Sequence, residues 1–254
     1  MAISRRQTLK LAVATGTFGT SVAPVFAAAQ PKRKIRLVIL DIGGTIIEDH
    51  GEVPNAMHDA LAGHGVAVSF AEIAEWRGAS KREMVRHFVQ LRTGMTDPAL
   101  IAKIYDQFVT EVNKSYANVK PIAGAEAAIS EMQRDGYLLA TTTGFDRQLT
   151  QAILGRLGWQ KLFVASVTSD DVVDGRPAPY MLFHAMEAAR VDNVAEAIAV
   201  GDTPLDLQAA NNGGLAAAIG VYSGAASEDR LRAEKYSHIL PSIATLPALL
   251  RSEI

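Results

Sequence analysis

From Arg33 onward, short apolar runs rich in β-branched residues alternate with stretches of helical periodicity, and this alternation leaves few folds open. Ile35–Leu40 is a continuous apolar run of the kind a buried strand needs, and it ends at an acid, Asp41. Tyr137–Thr142, Leu162–Val167, Ala197–Val200 and Leu215–Val221 repeat the type. Between them lie helical patterns over Ala125–Arg134, Arg147–Leu157, Pro179–Ala189 and Pro204–Asn211. Strands that come one at a time between helices predict an α/β fold, a doubly wound, Rossmann-like parallel sheet with helices on both faces.

The alternation is interrupted once. Residues from about Asn55 to Asn118 read as successive helices without a strand. Ser69 with Glu72, and Ser80 with Glu83, match the capping box that starts helices. Asp97-Pro98 opens a longer helix whose Ile101, Ile104, Tyr105, Phe108, Val109 and Val112 fall on one stripe. The spacing therefore predicts an all-helical domain over residues 51–119, inserted after the first strand of a core formed by residues 33–50 and 120–254.

Residues 1–29 have a different character. Arg5-Arg6 and Lys10 precede an apolar stretch, Leu11–Phe26, and Ala27-Ala28-Ala29 follows it. This is the layout of an export signal with a cleavage site, and the paired arginines resemble a twin-arginine signal. The reading implies a periplasmic or exported protein with no stable membrane anchor after cleavage. Without the leader, 22 basic side chains face 27 acidic ones, a balance that argues against nucleic acid as a partner. The absence of cysteine excludes disulfides, thiolate metal sites and a cysteine nucleophile.

In open parallel sheets ligands bind beyond the carboxyl ends of the strands, and four features stand there. Asp41-Ile42-Gly43-Gly44-Thr45 follows the first strand and Thr142-Thr143-Gly144 the second. Arg176 lies beyond the third, in Gly175-Arg176-Pro177-Ala178-Pro179. Gly201-Asp202-Thr203-Pro204-Leu205-Asp206 follows the fourth. Taken singly, Asp41 reads equally as a turn aspartate and Asp202 as a helix cap. Taken together, a carboxylate nucleophile, a hydroxyl for phosphoryl oxygens, a cation (Arg176) for spreading charge on the substrate and further carboxylates for a divalent metal describe a phosphoryl-transfer site.

These four motifs, in this order and with the helical insert in this place, resemble the haloacid dehalogenase superfamily over nearly all of residues 33–250. The resemblance implies that Asp41 attacks phosphorus and that Thr143 binds a phosphoryl oxygen. It implies that Asp41, the Gly43 carbonyl and Asp202 hold Mg2+, with Asp206 ordering the metal's waters.

Two departures narrow the resemblance. Phosphatases of the superfamily carry a second aspartate two residues after the nucleophile, where this chain has Gly43; the usual lysine of the third motif is Arg176. Both features, with Thr142-Thr143-Gly144 and Gly175–Pro179, are similar to phosphonatase, the phosphonoacetaldehyde hydrolase, which implies a small phosphonate substrate and a homodimer through the cap. The family's Schiff-base lysine corresponds to Lys81, and Arg77 stands beside it as a candidate reader of a substrate carboxylate. Ser80 as N-cap would place Lys81 at a helix start, which disfavours its ammonium form. Other positions differ: Met84 stands for a histidine, Phe145 for a tyrosine, and Gly51 falls near a cysteine.

Three readings follow. The first is a phosphonatase-like hydrolase that cleaves carbon–phosphorus bonds, with Asp41, Lys81, Arg176 and Thr143 catalytic and Thr142, Gly144 and Arg77 binding substrate. The second is a phosphatase for esters with good leaving groups, in which Lys81 is a solvated surface residue. The third is an exported binding protein for phosphate or phosphonate that has lost turnover.

Overall fold

The computed structural model describes residues 35–252, so the leader expected over residues 1–29 lies outside the described residues. Six parallel strands form one sheet in the order β3-β2-β1-β4-β5-β6. They are β1 (Leu37–Asp41), β2 (Leu138–Thr142), β3 (Ala165–Val167), β4 (Ala197–Gly201), β5 (Ala217–Val221) and β6 (His238–Leu240). Five of the six match apolar runs in the sequence. The sixth escapes such a reading because only Ile239 and Leu240 are apolar there, between His238 and Pro241, whereas the equally short edge strand β3 lies within the longer run Leu162–Val167.

Alternation along β1 sorts the core into two layers. Val38 and Leu40 join the larger apolar cluster, with α5 (Ala125–Arg134), α6 (Arg147–Arg156) and α10 (Leu246–Ser252). Leu37 and Ile39 join the second, with α7 (Tyr180–Ala188), α8 (Pro204–Asn212) and Leu231 of α9 (Glu228–Arg232). Both faces of the strand are covered, which explains its continuous hydrophobicity.

Five α-helices lie between β1 and β2; the first four form the insert that the broken alternation predicts, namely α1 (Glu52–Gly63), α2 (Phe70–Glu75), α3 (Lys81–Thr93) and α4 (Pro98–Ser115), and α5 belongs to the core. Asp97 caps α4 by accepting from Ala99 and Leu100, and its Ile101, Ile104, Tyr105, Phe108 and Val112 are buried. The Ser69–Glu72 box is complete. The Ser80–Glu83 box is only half made: Ser80 accepts from the Glu83 N–H, while the Glu83 carboxylate reaches across to the Gly175 N–H. Among the described residues no helix is long and apolar enough to cross a membrane.

Candidate active site

Strand register assembles the site. β1 pairs with β2 so that Asp41 lies level with Thr142, and with β4 so that Leu40 lies level with Val200, one residue before Gly201-Asp202. The sheet order reverses direction between β1 and β4, which opens a crevice at their carboxyl ends. A cavity there is lined by Asp41, Gly43, Thr143, Gly144 and Asp202 from the core. Arg77, Gly78, Lys81 and Met84 of the helical insert also line it, with Asp49 from the connection leading into that insert. A second cavity, about 360 Å³, shares Arg77, Thr203 and Ala225 with the first and gives a route toward α9.

The floor is a buried polar network. One terminal nitrogen of Arg176 donates to Asp41 Oδ1 at 2.8 Å and pairs with Asp206 Oδ1 at 2.7 Å. The other donates to the carbonyl and hydroxyl of Thr142, at 2.9 and 2.8 Å. Lysine, a single point charge, could not span these acceptors as a planar fork does. Burial pushes the Asp41 carboxyl up to about 6; Arg176 opposes that rise and Asp206 adds to it. Thr143 is placed by its N–H, which donates to the Val167 carbonyl, and its hydroxyl oxygen accepts from the Phe145 N–H. Its own proton is thereby left to donate.

Three sequence expectations change here. Thr142, expected to touch substrate, is absent from the cavity wall and spends its hydroxyl on Arg176. Arg176, expected to spread charge on the substrate, lies behind Asp41 with its donors taken by protein and acts through that carboxylate. Asp206, expected among the metal's waters, gives one oxygen to Arg176 and the other to the N–H and hydroxyl of Thr203. It positions the floor through both of its oxygens.

The charge of the donor set suits Mg2+. Asp41, Asp202 and Asp206 are all buried, and Arg176 pairs with the first and third. Asp202 Oδ2 accepts from the Ala225 N–H, and among the described residues no cation pairs with it. Burial raises its pKa well above the usual carboxylate range, with Asp41 and Asp206 adding to the rise. A hard divalent cation between Asp41 and Asp202 would relieve that strain. Among the described residues no three acidic, histidine or cysteine side chains form a cage. The residues fit an ion that takes two carboxylates, a carbonyl such as that of Gly43, and otherwise water and substrate oxygens. Gly44 makes room for this arrangement: with φ of 78°, it would bring a Cβ within 2.3 Å of Asp202 Oδ2.

The helical insert forms the roof. α3 begins at Lys81, whose N–H donates to the Gly144 carbonyl at 3.2 Å. A Cβ on Gly144 would meet the Ala79 carbonyl oxygen at 2.2 Å, so only glycine lets the two backbones approach. This contact carries Lys81 inside: the residue is 5% exposed, its Nζ donates to the Ala79 carbonyl, and it lies 5.7 Å from the Phe145 ring centroid. Burial lowers its pKa to about 8; Asp41 opposes the fall, and Arg176 and Arg77 add to it. The solvated surface lysine of the phosphatase reading is not what the geometry gives, and burial leads the causes of the shift, ahead of anything the helix terminus was expected to supply.

Arg77 does line the cavity, but its guanidinium is paired with Asp49, a residue the sequence reading passed over. Asp49 lies in the polar run Glu48-Asp49-His50, where no periodicity marks it, and its partner is 28 residues away. Met84 packs into the wall, whereas His87 stacks on Trp76 with ring centroids 4.4 Å apart and Gly51 is not part of the wall.

Known proteins agree with this architecture. A family model described as haloacid dehalogenase-like hydrolase matches residues 35–214. The phosphonoacetaldehyde hydrolase of Lysinibacillus sphaericus is 29% identical over 220 residues, covering 80% of each chain. The plasmid-borne phosphoglycolate phosphatase of Cupriavidus necator is 28% identical over 218 residues, covering 84% of this chain and 92% of that one. Among solved structures, a phosphonoacetaldehyde hydrolase-like protein from Oleispira antarctica superposes with a TM-score of 0.74 at 22% identity, over 86% of this chain and 92% of that one.

Proposed function

The chain belongs to the haloacid dehalogenase-like hydrolases, and from that premise we propose that it is a Mg2+-dependent, phosphonatase-like hydrolase. Its reaction is cleavage of the carbon–phosphorus bond of a 2-oxoalkylphosphonate such as phosphonoacetaldehyde, through an aspartyl-phosphate on Asp41. One observation carries the reading: Lys81 is buried in the wall that also holds Asp41, and that burial lowers its pKa to about 8. A lowered pKa leaves more of the amine free to attack a carbonyl at neutral pH than an ordinary lysine offers.

The chain's residues divide the work. The Lys81 amine adds to the aldehyde carbon, and loss of water leaves an iminium that draws electrons from the adjacent carbon. The Asp41 carboxylate, aimed by Arg176, attacks phosphorus; the carbon–phosphorus bond breaks and its electrons pass to the nitrogen as an enamine. Thr143 donates its hydroxyl proton to a phosphoryl oxygen. Asp41 and Asp202 would hold Mg2+, which would supply charge neutralisation at the phosphoryl oxygens. Protonation and hydrolysis of the enamine release acetaldehyde and free Lys81; water then cleaves the aspartyl-phosphate. No proton is needed on an alkoxide, so cleavage of the carbon–phosphorus bond does not call on the acid that Gly43 replaces.

The similarity to phosphoglycolate phosphatase supports a second reading, hydrolysis of a phosphate ester with a leaving group that needs little protonation. The two separate on release of acetaldehyde and phosphate from phosphonoacetaldehyde with Mg2+, beside p-nitrophenyl phosphate. Turnover of the phosphonate, lost in Lys81→Ala, is the expected result. Turnover of the ester alone makes the chain a phosphatase, and turnover of neither removes both readings.

A further inference from the structure

Either reading leaves one step without an agent. Water that hydrolyses the aspartyl-phosphate must lose a proton, and the position that carries an acid in phosphatases of this fold is Gly43. The ionisable side chains in the cavity wall are Asp41, Asp49, Arg77, Lys81 and Asp202. Asp41 carries the phosphoryl group in this step, and Asp202 has a buried oxygen facing the metal position. Arginine does not give up its proton. Lys81 remains mostly an ammonium at neutral pH and donates to the Ala79 carbonyl, so it is a poor acceptor.

Asp49 differs from all four. Its side chain is 6% exposed and lines the cavity. Its Oδ2 accepts from Arg77 of the helical insert and its Oδ1 from the Gly51 N–H at 3.0 Å, and each carboxylate oxygen keeps a second lone pair. Water attacking in line with the phosphorus–Asp41 bond arrives from the face away from Asp41, within the cavity that Asp49 also lines. We propose that Asp49 is the general base that hydrolyses the aspartyl-phosphate, in place of the carboxylate that Gly43 lacks. The Asp49 carboxylate takes a proton as the water oxygen bonds to phosphorus. The bond from phosphorus to the Asp41 oxygen breaks, Asp41 leaves as a carboxylate, and Asp49 later returns the proton to solvent. Arg77 holds the carboxylate in place and need not read a substrate group. This inference rests on the covalent role of Asp41 but not on which bond the first half-reaction cleaves.

The test needs no organic substrate. Inorganic phosphate labelled with ¹⁸O exchanges its oxygens with water whenever Asp41 is phosphorylated and hydrolysed in turn. The full chain with Mg2+ is expected to catalyse this exchange, and Asp41→Asn to abolish it. Asp49→Asn keeps an acceptor oxygen for Arg77 but sets its amide NH2 against the Gly51 N–H, so its thermal unfolding is measured beside the exchange. It is expected to lower the exchange rate at saturating phosphate by about 10²-fold, with half-saturating phosphate changed only a few-fold. Asp49→Glu should recover part of the rate. A role confined to packing would instead weaken phosphate binding, or give Glu and Asn the same loss, and either result overturns the proposal. Undiminished exchange in Asp49→Asn overturns it too. If the unmodified chain releases phosphate from a substrate but never exchanges oxygen, the covalent reading itself fails and takes this inference with it.

Discussion

The floor and the roof of the cavity are built differently. On the floor, the acids and hydroxyls that hold Asp41 are already spent on one another: Arg176 ties Asp41, Asp206 and Thr142 together, and Asp206 ties in Thr203. Such a network fixes geometry and serves any phosphoryl group. The roof holds one buried amine, one ion pair and an apolar wall from Ile73 and Met84. Little there is rigidly committed to phosphate, and on the proposed reading the core keeps the reaction class while the insert sets the choice of bond.

The sharpest way to break this division is Lys81→Ala. We expect cleavage of phosphonoacetaldehyde to fall by about 10³-fold or more, while p-nitrophenyl phosphate hydrolysis falls by roughly tenfold at most. Equal losses would place Lys81 on the shared floor.

Arg176→Lys should act on the floor alone. A lysine leaves Thr142 or one carboxylate without its partner, so both substrates should lose about 10²-fold together, and urea unfolding should report a loss of about 3 kcal/mol. A smaller change, about tenfold, is expected from Gly144→Ala, because a methyl group there displaces Ala79 and with it the start of α3. The phosphonate should suffer more than the ester, since Lys81 is the group that moves.

The smallest effect concerns pH. On the proposed route Lys81 reacts as the free amine, so kcat/KM for the phosphonate should climb from neutral pH and level off above about 8. Ester hydrolysis lacks that dependence, and identical profiles for the two substrates would contradict the account.

The sequence made the floor legible and the roof only partly so. Strand ends announce themselves, because a buried apolar run that stops at Asp41 or Gly201-Asp202 fixes where those side chains emerge. Thr142 was misjudged because its partner, Arg176, returns from a loop 34 residues later. Lys81 stands at a helix start, and periodicity cannot tell whether such a residue is solvated; its burial follows from the contact between Ala79 and Gly144. Asp49 carries no local signal, since its importance comes from Arg77 and from the cavity between them. Strand β6 fails for a simpler reason, having only Ile239 and Leu240 as apolar residues to form a pattern.

The central claim is that the Lys81 amine bonds to the substrate's carbonyl carbon. Borohydride added to the enzyme during turnover of phosphonoacetaldehyde would fix that bond, and peptide mass analysis would locate it. The account predicts one reduced two-carbon adduct per chain, on Lys81, with activity lost in step. Full activity after the same treatment, with Lys81 unmodified while phosphate is still released, would contradict it.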